Sequence, residues 1–86
     1  MAKIVDNPKG FRIIEATLLE ANKAFGGLGI CDCCNTATLT GYYIAVLNSW
    51  YCPECYNRWV RGAKRYAEDI DTEKRNFERA KEKLFL

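Results

Sequence analysis

Two CxxC pairs, Cys31 with Cys34 and Cys52 with Cys55, stand seventeen residues apart, and this constrains the chain more than any other feature. A CxxC turn lets two sulfurs converge on one point while the intervening amides face them. Two such turns supply four thiolates, which is the full tetrahedral shell of zinc(II). The chain has no histidine, so a complete site of this kind must be all-cysteine. A closed four-thiolate shell leaves no position for water or substrate and is the structural type of site. One structural Zn2+ held by Cys31, Cys34, Cys52 and Cys55 is therefore the expected cofactor. Iron in the same sulfur cage is the inorganic rival.

Size explains why a chain like this needs a metal. With 86 residues it is expected to fold as one domain that buries only about 60–65% of its unfolded surface, close to the self-sufficiency limit for a hydrophobic core. The first residues are broken by charges and carry no apolar leader core, and no apolar run is long enough to span a membrane. Five cysteines, an odd number, fit a reducing compartment better than a disulfide framework. A cytoplasmic location is the expectation. The formal charge of +2 treats the thiols as neutral, whereas zinc with four thiolates is doubly negative, so the loaded protein sits near neutrality. Bulk charge gives no argument for nucleic acid.

Three segments are expected within residues 1–86: an N-terminal helical segment 1–28, a zinc module 29–60 and a C-terminal helical extension 61–86. "DNPKG" has turn chemistry at Pro8 and Gly10. Phe11, Ile14, Leu18, Ala21 and Phe25 then recur at helical spacing, and Gly26–Gly27 is a plausible stop, although "FRII" also suits a strand start. Leu39–Val46 and Trp50–Cys52 read as the arms of a β-hairpin turning at Asn48–Ser49, with Gly41 marking a bulge or a close backbone approach. Pro53 suits the first position of a helix. Cys52 would then end the hairpin, and Cys55 would lie in the first helical turn, where exposed amides favour thiolate. Trp59, Ala63, Tyr66, Ile70, Glu73, Phe77, Ala80 and Leu84 form a heptad-like seam with one polar member. A break or kink is expected near Ile70–Thr72, since a domain this small can hardly cover an uninterrupted helix of that length. The fold class is a small zinc-stabilised α+β domain.

From Gly29 to about Trp59 the chain resembles GATA-type treble-clef fingers and the zinc finger of bacterial RNA-polymerase regulators of the DksA and TraR family. The four cysteines, Tyr51 before the third and the helix after the fourth carry the likeness. The resemblance implies a treble-clef order of knuckle, hairpin and helix. GATA fingers carry a basic hairpin, whereas "GYYIAVLN" is uncharged here, and the acidic tip of the polymerase regulators has no counterpart in the N-terminal stripe. The likeness implies the fold and neither activity.

Arg58, Arg61, Lys64 and Arg65 follow the metal module without an intervening acid and fall on one arc of a helical wheel, but Glu68, Asp69, Asp71 and Glu73 then reverse the sign. Intrahelical pairing such as Arg65 with Asp69 is the plain reading. Contact with nucleic acid or with an acidic protein is the functional one. Cys33 is the leftover thiol. It is read as unliganded at the knuckle tip, with a redox-sensing role as the sharper alternative, which the neighbouring Asp32 opposes by disfavouring thiolate. "CPEC" alone resembles a thioredoxin-like redox motif, but the βαβ setting that motif requires is missing. Tyr42 and Tyr43 point to opposite faces of a strand, so an exposed aromatic beside "IAVL" suggests a contact patch, including self-association. With no histidine and no open metal position, enzyme activity is not expected. A protein-interaction or adaptor module is the first functional expectation and a nucleic-acid-binding, transcription-associated finger the alternative. A thiol redox sensor is the weaker third, and no membrane partner is expected.

Overall fold

The structure, a computed structural model, describes residues 2–25 and 30–86. A four-stranded antiparallel sheet follows chain order: β1 (Lys3–Val5), β2 (Ile13–Thr17), β3 (Thr40–Ile44) and β4 (Ser49–Tyr51). Helix α1 (Leu18–Phe25) follows β2, α2 (Pro53–Gly62) follows β4, and α3 (Ile70–Lys83) is reached through a short 3-10 turn at Ala67–Asp69. The fold is a small α+β arrangement.

Both faces of the sheet are covered, which decides how its residues are used. Ile14, Ala16, Tyr43 and Trp50 pack on one face with Ala21 of α1 and Phe77 and Ala80 of α3. Ile13 and Ile44 pack on the other with Phe11 and with Tyr56 and Val60 of α2. The register fits this alternation, because Ile13 lies opposite Ile44 and Ile14 opposite Tyr43. Tyr42 and Tyr43 do face opposite ways, and each finds a core: Tyr43 is buried under α1 and α3, while Tyr42 stacks on Tyr56 at 4.3 Å.

The N-terminal helix is shorter than its spacing predicts. Residues 13–17 form a strand, and only Leu18–Phe25 are helical. A strand buried on both faces needs apolar residues at adjacent positions, so alternation is lost and helical spacing is imitated. Ile13 and Ile14 are β-branched, which favours the extended form. The stop expected at Gly26 and Gly27 lies outside the described residues.

The hairpin forms with a shorter first arm than expected, a second arm that starts one residue earlier and a turn at Ala45–Asn48 in place of Asn48–Ser49, closed by bonds from the amides of Leu47 to Ile44 (3.1 Å) and of Asn48 to Ala45 (3.1 Å). Asn48 sits at φ 53, and its side-chain oxygen accepts from the Tyr43 hydroxyl at 2.7 Å. Asparagine tolerates the left-handed region better than most residues. At Gly41 the expected close approach is realised: a Cβ there would lie 2.5 Å from Cζ2 of Trp50 and 2.5 Å from the Tyr51 carbonyl oxygen.

The C-terminal seam is divided, and earlier than expected. Helix α2 ends at Gly62, and Ala63 turns extended at ψ 145. Lys9, from the β1–β2 turn, donates to the carbonyls of Arg61 (3.1 Å) and Ala63 (2.8 Å), satisfying the helix end and complementing its dipole. Trp59 and Ala63 therefore pack with the α2 face, Phe77, Ala80 and Leu84 with the α3 face, and Tyr66 and Ile70 are exposed between them. Glu73, the polar member of the seam, is 2% exposed. Its carboxylate accepts from the Arg12 amide at 3.0 Å and pairs with Arg65 at 3.2 Å. Arg65 also donates to the Gly10 carbonyl and lies over the Phe11 ring at 5.2 Å. It is thus bound to Glu73, not to Asp69 one turn on.

Two stability effects follow. Gly41→Ala is expected to cost about 2–3 kcal/mol, since the nearest obstacles are a packed indole and backbone. Arg65→Ala leaves a carboxylate buried without its counter-ion. Because the Arg65 side chain is 34% exposed, the loss is expected at about 2–3 kcal/mol, below the full cost of breaking a buried pair. Urea denaturation of each variant against the wild-type chain measures both.

Candidate metal centre

The four cysteines of the paired motif come together. Their sulfurs all lie within 4.8 Å of one another, and Cys34 Sγ is 3.8 Å from Cys52 Sγ. A tetrahedron with metal–sulfur distances near 2.3 Å has edges of about 3.8 Å. The donor set and its spread fit one tetrahedral ion. None of the five cysteines is in a disulfide.

Each pair is placed by local backbone chemistry. In the first, the Asn35 amide donates to the Cys31 carbonyl (2.9 Å) and the Cys31 amide to the Thr36 carbonyl (3.1 Å), curling the chain into a knuckle. Asn35 takes φ 61, the left-handed residue the reversal requires. The Cys33 amide donates to Cys31 Sγ at 3.3 Å, so the turn presents an N–H to a sulfur that would carry negative charge. In the second pair, Cys52 is the residue before α2 and Pro53 its first. The Tyr56 amide donates to the Cys52 carbonyl at 2.9 Å as the helix begins, and Cys55 lies in its first turn.

The knuckle is fastened to the sheet by Asp32. Its amide donates to the Trp50 carbonyl (3.0 Å), and its Oδ2 accepts from the Trp50 amide (3.0 Å). The outer edge of β4 is thereby occupied, and Cys31 is held beside Cys52. From sequence, Asp32 reads only as a negative charge near Cys33. Its structural part shows in no spacing rule, because the partner is eighteen residues away.

Burial divides the sulfurs. Cys31, Cys52 and Cys55 are buried and Cys34 is exposed. Hydrogen bonding from the Thr36 hydroxyl, then from its amide, then from the Cys55 thiol, lowers Cys34 to about 6. Cys55 is raised, first by its bond to Cys34 and then by burial, and Cys52 is raised chiefly by burial. In the ion-free chain the Cys34 thiolate thus accepts from Cys55, while Cys55 and Cys52 keep their protons. A cation displaces those protons, so its binding is linked to pH.

The basic residues singled out by sequence do not all lie on one helix. Arg58 and Arg61 project from α2, while Lys64 and Arg65 lie beyond its end. Arg58 is 3.9 Å from Glu54, one turn back on the same helix, and Arg65 is committed to Glu73. Cys33 is exposed at the knuckle and lies outside the four-sulfur group. Among the described residues no helix is long and apolar enough to cross a membrane. Comparison with protein-family models, curated proteins and solved structures finds no match.

Because Cys52 and Cys55 hold their protons above the usual thiol range, each must lose one on loading. Above the Cys34 pKa of about 6, cation affinity is expected to fall by at least about 100-fold per unit of acidification. Competition against a chelator of known proton affinity, between neutral and mildly alkaline pH, measures the slope. A flat profile would contradict the protonation pattern.

Proposed function

We propose that this protein is a zinc-stabilised interaction module in which the ion is structural and the treble-clef order of knuckle, hairpin and helix frames it. The observation that carries the reading is the convergence of Cys31, Cys34, Cys52 and Cys55 within 4.8 Å. Four thiolates complete zinc's shell and leave no coordination position for chemistry, which supports a structural and non-catalytic role. Zinc would fasten the knuckle to the start of α2, and much of its binding energy would be folding energy.

What favours an adaptor role is exposed apolar side chains. Leu39 is 87% exposed and Leu19 70% exposed. The Leu39 carbonyl accepts from the Leu18 amide at 2.9 Å, so the backbone segments that carry Leu19 and Leu39 meet at the β2–α1 junction. Exposed aliphatic side chains that join into one patch would mark a protein-binding surface. The basic residues support nucleic-acid binding less well, since Arg58 and Arg65 have acidic partners within the fold. A redox role for Cys33 has only its exposure in its favour.

The purified protein is expected to hold one zinc equivalent per chain by native mass spectrometry with elemental analysis. Chelation is expected to abolish cooperative unfolding of the module, and Cys52→Ser or Cys55→Ser to lose the ion. A metal-free chain with an unchanged urea transition would defeat the structural assignment. For the adaptor role, Leu19→Asp with Leu39→Asp is expected to dissolve a partner complex or self-assembly while metal content is retained. Steeply salt-dependent binding to mixed DNA and RNA, lost on charge reversal at Arg61 and Lys64, would instead establish the nucleic-acid reading.

A further inference from the structure

The metal centre has one open side. Cys31, Cys52 and Cys55 are buried, and Cys34 alone of the four grouped cysteines is exposed. Residues 32–37 are exposed with it, so packing does not decide which part of the knuckle faces the sulfurs. The bonds that hold the knuckle lie to either side of its tip. The Cys31 amide donates to the Thr36 carbonyl (3.1 Å), the Asn35 amide to the Cys31 carbonyl (2.9 Å) and the Asp32 amide to the Trp50 carbonyl (3.0 Å). Cys33 and Cys34 are the two residues between Asp32 and Asn35, and both are exposed.

A fifth sulfur stands at the margin of the same group. The Cys33 amide donates to Cys31 Sγ at 3.3 Å, so the backbone at Cys33 already borders the ligand sulfurs. The Cys55 thiol interacts with that of Cys33 as well as with those of Cys34, Cys52 and Cys31. Cys33 is nonetheless outside the set of four mutually close sulfurs. Five thiols thus serve four positions, three of them fixed by burial and the fourth open to either of two neighbours in sequence. Thr36 donates to the Cys34 sulfur through its hydroxyl and its amide. Those bonds favour the ligated form of Cys34, which makes it the resident ligand and Cys33 the reserve.

Given the structural zinc site, on which this rests, we propose that Cys33 is an alternative fourth ligand: when Cys34 detaches, Cys33 bonds the ion in its place and the four-thiolate shell is kept. The Cys33 thiol releases its proton to water, a metal–sulfur bond forms at Cys33 and one breaks at Cys34, and the departing Cys34 thiolate takes up a proton. Charge and oxidation state are unchanged. Adjacent Cα atoms are about 3.8 Å apart, so a local rotation of the exposed tip brings one sulfur to the other's place without moving the sheet or α2. Zinc(II) imposes no directional d-electron preference, so the ion tolerates the small change of donor position. Two donors at the one accessible corner protect the shell against loss or capping of either.

Cobalt(II) takes the same sulfur donors, and the intensity of its sulfur-to-metal charge-transfer band follows the number of thiolates bound. The test loads the full chain with cobalt(II) in the absence of added thiols. Cys34→Ser is expected to hold the ion with the wild-type band, independent of protein concentration, and Cys33→Ser to do the same. The double variant, Cys33→Ser with Cys34→Ser, is expected to lose about a quarter of the band, the share of one thiolate in four. In competition with a chelator it is expected to bind at least about tenfold more weakly than Cys34→Ser. Cys55→Ser, at a buried position that no spare sulfur serves, is expected to lose the ion although Cys33 is present. A cooperative urea transition of each loaded variant establishes that it is folded. Cys34→Ser with the band and affinity of the double variant overturns the proposal. So does a Cys34→Ser chain that loses the ion outright, or one whose full band appears only as protein concentration rises and a second chain supplies the sulfur. A wild-type chain that takes up no metal overturns the structural zinc site as well, whereas metal in the wild type with a three-thiolate band in Cys34→Ser overturns the reserve ligand alone.

Discussion

Everything in this fold is arranged around bringing two distant turns to one point. The knuckle at Cys31–Cys34 and the helix start at Cys52–Cys55 are separated by a whole hairpin, and antiparallel pairing of β3 with β4 returns the chain to where it began. Backbone pairing alone would leave the knuckle loose. The reciprocal bonds between Asp32 and Trp50 fix it to the strand edge, so the sulfurs are gathered by the sheet as well as by any ion they hold. An edge strand with open amides is a hazard to a small protein. On β4 that edge is used to position ligands.

The second organising contact is ionic and buried. Glu73 and Arg65 connect α3 to the β1–β2 turn through the Arg12 amide and the Gly10 carbonyl. A buried pair of this kind is weak evidence for net stability, since desolvation offsets much of the attraction. Its geometric effect is clearer. The carboxylate has acceptable partners in one arrangement, which holds α3 across the sheet instead of letting it continue from α2. Lys9 supports the same division from the other side by occupying the carbonyls at the α2 terminus.

How much of this was legible in sequence depends on whether the signal is local. The cysteine spacing, Pro53 at a helix start and the small residue at Gly41 each express a requirement within a few residues of themselves, and each has a recognisable structural counterpart. Residues 11–17 were ambiguous because a strand covered on both faces discards alternation, and Phe11, Ile14 and Leu18 happen to match helical intervals. The seam from Trp59 to Leu84 has sound helical spacing, but its members serve two different cores. The interruption at residues 63–69 depends on Lys9 and Glu73, whose partners are remote in the chain. Asp32 was invisible for the same reason, because its part is defined by a strand edge eighteen residues away.

Strand order that follows chain order has a kinetic meaning. Each strand of the meander pairs with its immediate predecessor, so the sheet can assemble by successive closures, the longest of them carrying α1 and the knuckle between β2 and β3. The bond from Arg12 to Glu73 is different, spanning sixty-one positions. Docking of α3 is the costliest closure and falls naturally at the end of assembly. Helix α3 is then the last element to arrive and the first to lift away, so local opening would begin there while the sulfur-bearing hairpin stays intact.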